Sequence, residues 1–350
     1  MTNVPRVPTS VTSVLREVSR RYNVPIEELR FHAQALRSLK LIDYGEAPRF
    51  KGVELTELGT FITNLTTEDE PILAGDLVQT KTGVKPLGQL LKDIRRKVLQ
   101  MVAEAGSGHL GASMSIVDIL AILYFMKMQH DPSNPGWTER DRLILSKGHA
   151  APALYAVLSE AGYFPEEELT SLRELDSRLH GHPGTITPGV DVATGSLGQG
   201  LSVAVGMALA AKMDEASHRI YVILGDGELD EGQVWEAAMT AAHYGLDNIV
   251  AIIDRNQYQL TGTTEQVKAV EPVSEKWRAF GWNVMNVSGH DVYAVLDALE
   301  VCEHTKGSPH VIVAKTTKGK GVSFMEGNRF SRSVPNASQL RQALEELERD

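Results

Sequence analysis

Four short apolar runs rich in Val and Ile constrain this chain more than any other feature. They are Arg219 to Leu224, Asn248 to Asp254, Trp282 to Val287 and His310 to Ala314, and stretches of helical spacing separate them. A strand that is apolar along its whole length needs cover on both of its faces. The alternation therefore predicts an α/β domain, a parallel sheet with helices on both faces. Upstream, from about Leu87 to Leu175, helical patterns dominate. In open sheets of this kind ligands bind outside the carboxyl ends of the strands, so those ends are the first place to look for chemistry.

The run Tyr221-Val222-Ile223-Leu224 ends in Gly225-Asp226-Gly227-Glu228, and a helix is expected from about Glu231. Thirty residues after Asp226 the next run ends in Asp254-Arg255-Asn256. Two neighbouring strand ends thus present a carboxylate and a side-chain amide to one crevice. Carboxylate, amide and backbone oxygens are hard ligands suited to Mg²⁺ or Ca²⁺, and Mg²⁺ commonly completes its shell with phosphate oxygens. The metal candidates are Asp226, Asn256 and Tyr258. Gly225 and Gly227 let backbone approach a phosphate. Either fragment alone reads as a turn; their spacing after two buried strands favours a site. There is no Walker sequence, and Gly225-Asp226-Gly227 lacks the third glycine of a dinucleotide fingerprint.

Gly225-Asp226-Gly227 through Asn256 resembles the thiamine-diphosphate motif. The flanking sequence narrows the likeness to the N-terminal, diphosphate-binding domain of the transketolase family. Ala105-Gly106-Ser107-Gly108-His109, Ser146-Lys147-Gly148-His149-Ala150, Gly181-His182-Pro183 and Thr194-Gly195-Ser196-Leu197-Gly198-Gln199-Gly200 match in order, over about residues 87 to 325. The resemblance implies thiamine diphosphate as cofactor with Mg²⁺ (or Ca²⁺). It implies that His149, Gly227 and Asn256 meet the cofactor's diphosphate end, that Gly195 offers its carbonyl to the 4′-amino group, and that Leu197 and Leu260 wall the cofactor. For the two leucines ordinary core packing is an equal alternative. It further implies that His109 works near the reacting carbonyl, that His182 bonds a donor hydroxyl, and that Glu231 belongs to a proton network at a subunit interface; an acid at a helix start is also favourable in its own right. His180 and His182 could be a zinc pair, but Pro183 follows and no other ligand signature accompanies them.

Two departures from the family pattern stand out. No histidine follows His310, although transketolases carry one after the stretch matching Gly319-Lys320-Gly321, and Arg329 or Arg332 could take over a diphosphate contact there. The chain also ends at Asp350, so the pyrimidine-binding domain, with the glutamate that meets N1′ of the cofactor, is expected on a partner chain. The expected assembly has two copies of each of the two chains and acts on sugar or sugar-phosphate substrates as a transketolase. A deoxyxylulose-phosphate-synthase-like carboligase is the alternative.

Residues 1–65 read as a small α+β unit resembling a winged helix: helical spacing to Leu39, a hairpin-like stretch around Leu41–Leu55, and a closing helix from Phe61 to Leu65. Residues 66–86 read as a linker, 87–335 as the cofactor domain and 336–350 as a helical tail. The formal charge is −10, and the arginines at 16, 20, 21, 30 and 37 are interrupted by Glu17, Glu27 and Glu28, so no basic stripe offers itself to nucleic acid. A DNA-binding regulator is therefore disfavoured against an enzyme. With Cys302 as the single cysteine, and no apolar run long enough to span a membrane, a cytoplasmic protein is expected.

Overall fold

The computed structural model describes residues 42–43, 54–55, 77–260, 262–328 and 334–349. The chain divides into two units, Met1–Gln89 and Leu90–Asp350. In the first, β1 (Ile42–Asp43) pairs antiparallel with β2 (Glu54–Leu55), within the expected hairpin. The helices expected around it lie outside the described residues. Within the expected linker, β3 (Leu77–Thr80) and β4 (Gly83–Pro86) form a second antiparallel pair. The helix α1 (Leu87–Glu104) begins directly after it.

The larger unit is built on five parallel strands: β5 (Arg142–Leu145), β6 (Ile220–Gly225), β7 (Ile249–Arg255), β10 (Asn283–Ser288) and β11 (His310–Lys315), in the order β10-β11-β7-β6-β5. A small antiparallel pair, β8 (Tyr258–Gln259) and β9 (Gly262–Thr263), follows β7. Four of the five strands coincide with the predicted runs. The fifth, β5, lies in a stretch read as helical and corrects that reading.

The helices are α2 (Leu110–Met114), α3 (Val117–Ile122), α4 (Ala151–Ala161), α5 (Gln199–Met213), α6 (Gly232–His243), α7 (Thr264–Val267), α8 (Val273–Ala279), α9 (Val292–His304) and α10 (Ala337–Arg349). Strand alternation sends Ile220, Val222 and Leu224 into one core with Leu201, Ala204 and Ala208 of α5, Val234 and Ala238 of α6, and Trp277 of α8. Tyr221 and Ile223 point the other way and are equally buried. Cover on both faces is what lets Ile220–Leu224 of β6 and Ile249–Ile253 of β7 be apolar without a break. It confines the polar residues to the carboxyl ends of these two strands.

Candidate active site at the carboxyl edge of the sheet

Parallel pairing sets Gly225 opposite Asp254, so Asp226 and Arg255-Asn256 leave the sheet together. Asp226 is only 1% exposed. Its Oδ1 accepts the Gly227 N–H at 2.8 Å, and its Oδ2 accepts from Arg255 Nη1 at 2.9 Å and from the Gln257 N–H at 2.6 Å. Burial, and next the charge of Asp254, lift its pKa to about 6, against the pull of Arg255. A carboxylate stripped of water in this way gains from a divalent cation. Asn256 donates to Asp254 Oδ2 at 2.6 Å and accepts the Tyr258 N–H on Oδ1 at 3.1 Å. Tyr258 begins β8, and its hydroxyl donates to the Gly327 carbonyl. Asp226 and Asn256 are thereby tied to the backbone of Gln257 and Tyr258, and the oxygens of this stretch are of the hard kind that Mg²⁺ takes. No group of three His, Cys, Asp or Glu suited to a metal occurs among the described residues, so His180 and His182 have no third such ligand there.

The histidine loops converge on the same edge. His149 lies in the turn after β5, its ring 5.2 Å from that of His109 in an edge-to-face contact. Burial, followed by the charges of Lys147, His109 and Lys318, lowers the His149 pKa to about 3, so the ring is neutral at pH 7 and offers an N–H to an anion. Gly195 stands against His182: a Cβ at Gly195 would be 3.4 Å from that ring. His182 is exposed, and burial, then Arg173, lowers its pKa. Leu197 is half-buried, whereas Leu260 is 67% exposed on the turn between β8 and β9. Leu260 is therefore not part of the buried core of the described residues. Glu231 is exposed at the start of α6 and packs against Gly198, where an added Cβ would come within 2.7 Å of its own Cβ. Arg329 and Arg332 lie outside the described residues.

Several residues that hold the site escape a reading of single motifs. Glu228, buried after β6, accepts from Ser146 Oγ, from the Gly198 N–H at 2.8 Å and from the Gly225 N–H at 2.9 Å. One carboxylate thereby ties the ends of β5 and β6 to the start of α5. Lys147 and Asp254 form a buried ion pair, and Lys147 also donates to the Ala112 carbonyl at 3.0 Å. Asp254 additionally accepts from Ser115 at 2.8 Å and from Thr316. Lys318, buried in the loop after β11, has its ammonium 5.8 Å from the Tyr258 ring centre and its charge felt at His149. Its setting in Thr317-Lys318-Gly319-Lys320-Gly321, a basic glycine-rich loop after a strand, was the available signal.

Residues 88–343 match the family described as transketolase, thiamine diphosphate binding domain. The chain belongs to the transketolase family. It is 48% identical over 259 residues to the 6-deoxy-6-sulfo-D-fructose transketolase subunit of Clostridium sp. strain MSTE9, covering 73% of this chain and 94% of that protein. It is also 48% identical over 259 residues to an apulose-4-phosphate transketolase subunit of Actinobacillus succinogenes, with the same coverage of 73% and 94%. Among solved structures, transketolase from Campylobacter jejuni superposes with a TM-score of 0.71 at 37% identity, over 74% of this chain and 43% of that one. The Leishmania mexicana enzyme gives 0.72 at 33% identity, over 76% and 42%. The chain therefore spans nearly all of these two transketolase subunits, but about two-fifths of the solved transketolases it matches. It is a transketolase-type, thiamine diphosphate-dependent transferase subunit, corresponding to the N-terminal part of the family.

Proposed function

We propose that this subunit, together with a partner carrying the pyrimidine-binding domain, transfers a two-carbon ketol unit from a ketose phosphate or similarly anionic ketose to an aldose. The observation that carries the proposal is the convergence of Asp226, Asn256 and a neutral His149 at one sheet edge. The names of two relatives mention a sulfonated and a phosphorylated sugar, which supports an anionic substrate class.

When bound, thiamine diphosphate supplies the carbanion-stabilising centre at which a ketose carbon–carbon bond is broken. The chain's own residues would hold it through Mg²⁺ on Asp226, Asn256 and Tyr258. His149, Lys318 and the Gly227 backbone would bind its diphosphate, with Gly195, Leu197 and Leu260 along the rest. His109 and His182 would donate hydrogen bonds or protons to substrate oxygens, which develop charge as the bond breaks. Glu231, exposed beside Gly198, together with exposed Val203 on α5 and Met239 on α6, supports an intersubunit contact on that face. Two copies of each of the two chains would close the assembly. We read residues 1–65 as a winged-helix-like module, for which the β1–β2 pair is support. Among the described residues no helix is long and apolar enough to cross a membrane, and a cytoplasmic setting fits buried Cys302, whose thiol burial pushes up to about 12.

The test is to purify the chain alone and with its partner, and to assay ketose phosphates and pyruvate as donors with thiamine diphosphate and Mg²⁺. Ketol transfer is expected only from the mixture. Turnover by the single chain, shown free of partner by mass spectrometry, overturns the shared-site reading; use of pyruvate in place of ketose overturns the reaction.

A further inference from the structure

A second buried charge cluster stands apart from the ligand set above. Asp118 on α3 accepts, on Oδ2, from Arg95 Nη2 of α1 at 2.5 Å and from His290 Nδ1 at 2.7 Å. On the far side of the ring, His290 Nε2 accepts the Thr317 N–H at 2.8 Å. A ring nitrogen that accepts an N–H carries no proton of its own, so the proton sits on Nδ1 and is donated to Asp118. The two partners therefore fix the tautomer and the ring together.

Arg95 reaches the same loop four residues later. A Cβ placed on Gly321 would lie 3.0 Å from Arg95 Cδ, and Gly321 has a φ of +91°, so a glycine is needed for the loop to pass this close. Between these grips, the Gly319 N–H donates to the Gly111 carbonyl at 3.0 Å. The segment held in this way, 317–321, carries Lys318 toward His149 and Tyr258. A lysine side chain has much rotamer freedom to lose on meeting an anion, and a loop ordered beforehand loses less.

We propose that Arg95, Asp118 and His290 are positioning residues that set Lys318 against the diphosphate by clamping residues 317–321 at both ends. The proposal rests on the diphosphate reading of the site. It makes the triad act through Lys318 and not by contact with the cofactor.

The test is a double-variant cycle on thiamine diphosphate affinity, measured by calorimetry with Mg²⁺ in the assembled complex. Lys318→Ala and His290→Ala are each expected to weaken binding about tenfold, the loss of one charge-assisted phosphate contact. The double variant should be no weaker than Lys318→Ala alone, because the clamp then has nothing to position. His290→Gln, whose amide oxygen can replace Nε2 as acceptor for Thr317, should recover most of the loss. His290→Asn, which keeps the bond to Asp118 only, should not, and it serves in place of the alanine variant if that one fails to fold. Hydrogen exchange should quicken across 317–321 in the alanine variant and stay unchanged in β6 and β7. A double variant about a hundredfold weaker than wild type, or unchanged affinity despite faster exchange, overturns the clamp while leaving the site intact. No binding by the wild-type complex overturns the diphosphate reading and the clamp with it.

Discussion

His149 gives a prediction whose size follows from its surroundings. An unfolded histidine titrates near 6.5, and burial in the folded chain holds this one near 3. A base whose pKa is lowered by folding destabilises the fold as protons become available. The penalty is absent above pH 6.5, grows as the pH falls, and is complete near 3. At pH 5 the unfolded chain binds this proton about thirty times more readily than not, so His149 alone should cost about 2 kcal/mol relative to pH 7.5. The perturbation is His149→Asn, which removes the titrating group. The assay is urea unfolding of the isolated chain at both pH values, followed by tryptophan fluorescence, since Trp137, Trp235, Trp277 and Trp282 all lie in the larger unit. Titrating groups far from His149 contribute alike to both proteins and cancel in the comparison. The wild type should lose about 2 kcal/mol more than the variant between pH 7.5 and pH 5. Equal losses would falsify the neutral, half-buried imidazole and with it the N–H donor proposed for the diphosphate.

Three further outcomes test the rest of the site. Asp226→Ala and Asn256→Ala should abolish Mg²⁺-dependent thiamine diphosphate binding in the assembled enzyme with little change in circular dichroism; unchanged affinity in both would remove the metal assignment. Lys147→Met leaves Asp254 buried without its cation and should destabilise the chain by about 3 to 5 kcal/mol in denaturant titration, whereas a loss under about 1 kcal/mol would show that Asp254 finds other compensation. His182→Ala should lower kcat with a ketose donor far more than it lowers cofactor affinity, with His149→Ala doing the reverse, and equal effects would dissolve the division of roles.

The sheet was legible because β6, β7 and β11 are largely apolar up to their carboxyl ends and β10 sets Val284, Met285 and Val287 among Asn and Ser, and each of the four matches its expected run to within one residue at either end. β5 was not, because Arg-Leu-Ile-Leu is too short to show a period of its own, and the turn-rich stretch before it, Asp131-Pro132-Ser133-Asn134-Pro135-Gly136, was read within a helical region. Asp226, Asn256 and the glycine-flanked histidines could be read from local motifs and their spacing. Glu228 and the Lys147–Asp254 pair could not: Glu228 reaches Ser146 across 82 residues and Lys147 reaches Asp254 across 107, separations at which no periodicity in one sequence links two positions. Lys318 fell between these cases. Its glycine-rich loop is a local signal, but its direction is set by contacts with α2 and by the triad on α1, α3 and the turn before α9.

The site is unevenly finished, and the unevenness has a chemical reading. Asp226, Glu228, Asn256, Lys147 and Asp254 are buried and bonded, so the groups around a diphosphate are fixed before any ligand arrives. His182 and Leu260 are exposed, so the end where substrate carbons would react lies open to water. Charge that develops on a sugar oxygen is stabilised by preoriented donors far better in a water-excluded site than in an open one. A chain that fixes one end of a cofactor and leaves the other wet can bind it but is poorly equipped to use it. Covering His182 and Leu260 with a second protein surface would dry that end without disturbing the diphosphate groups. This is the physical case for the proposed partner, and it requires that mixing the two chains change kcat far more than it changes the metal geometry at Asp226.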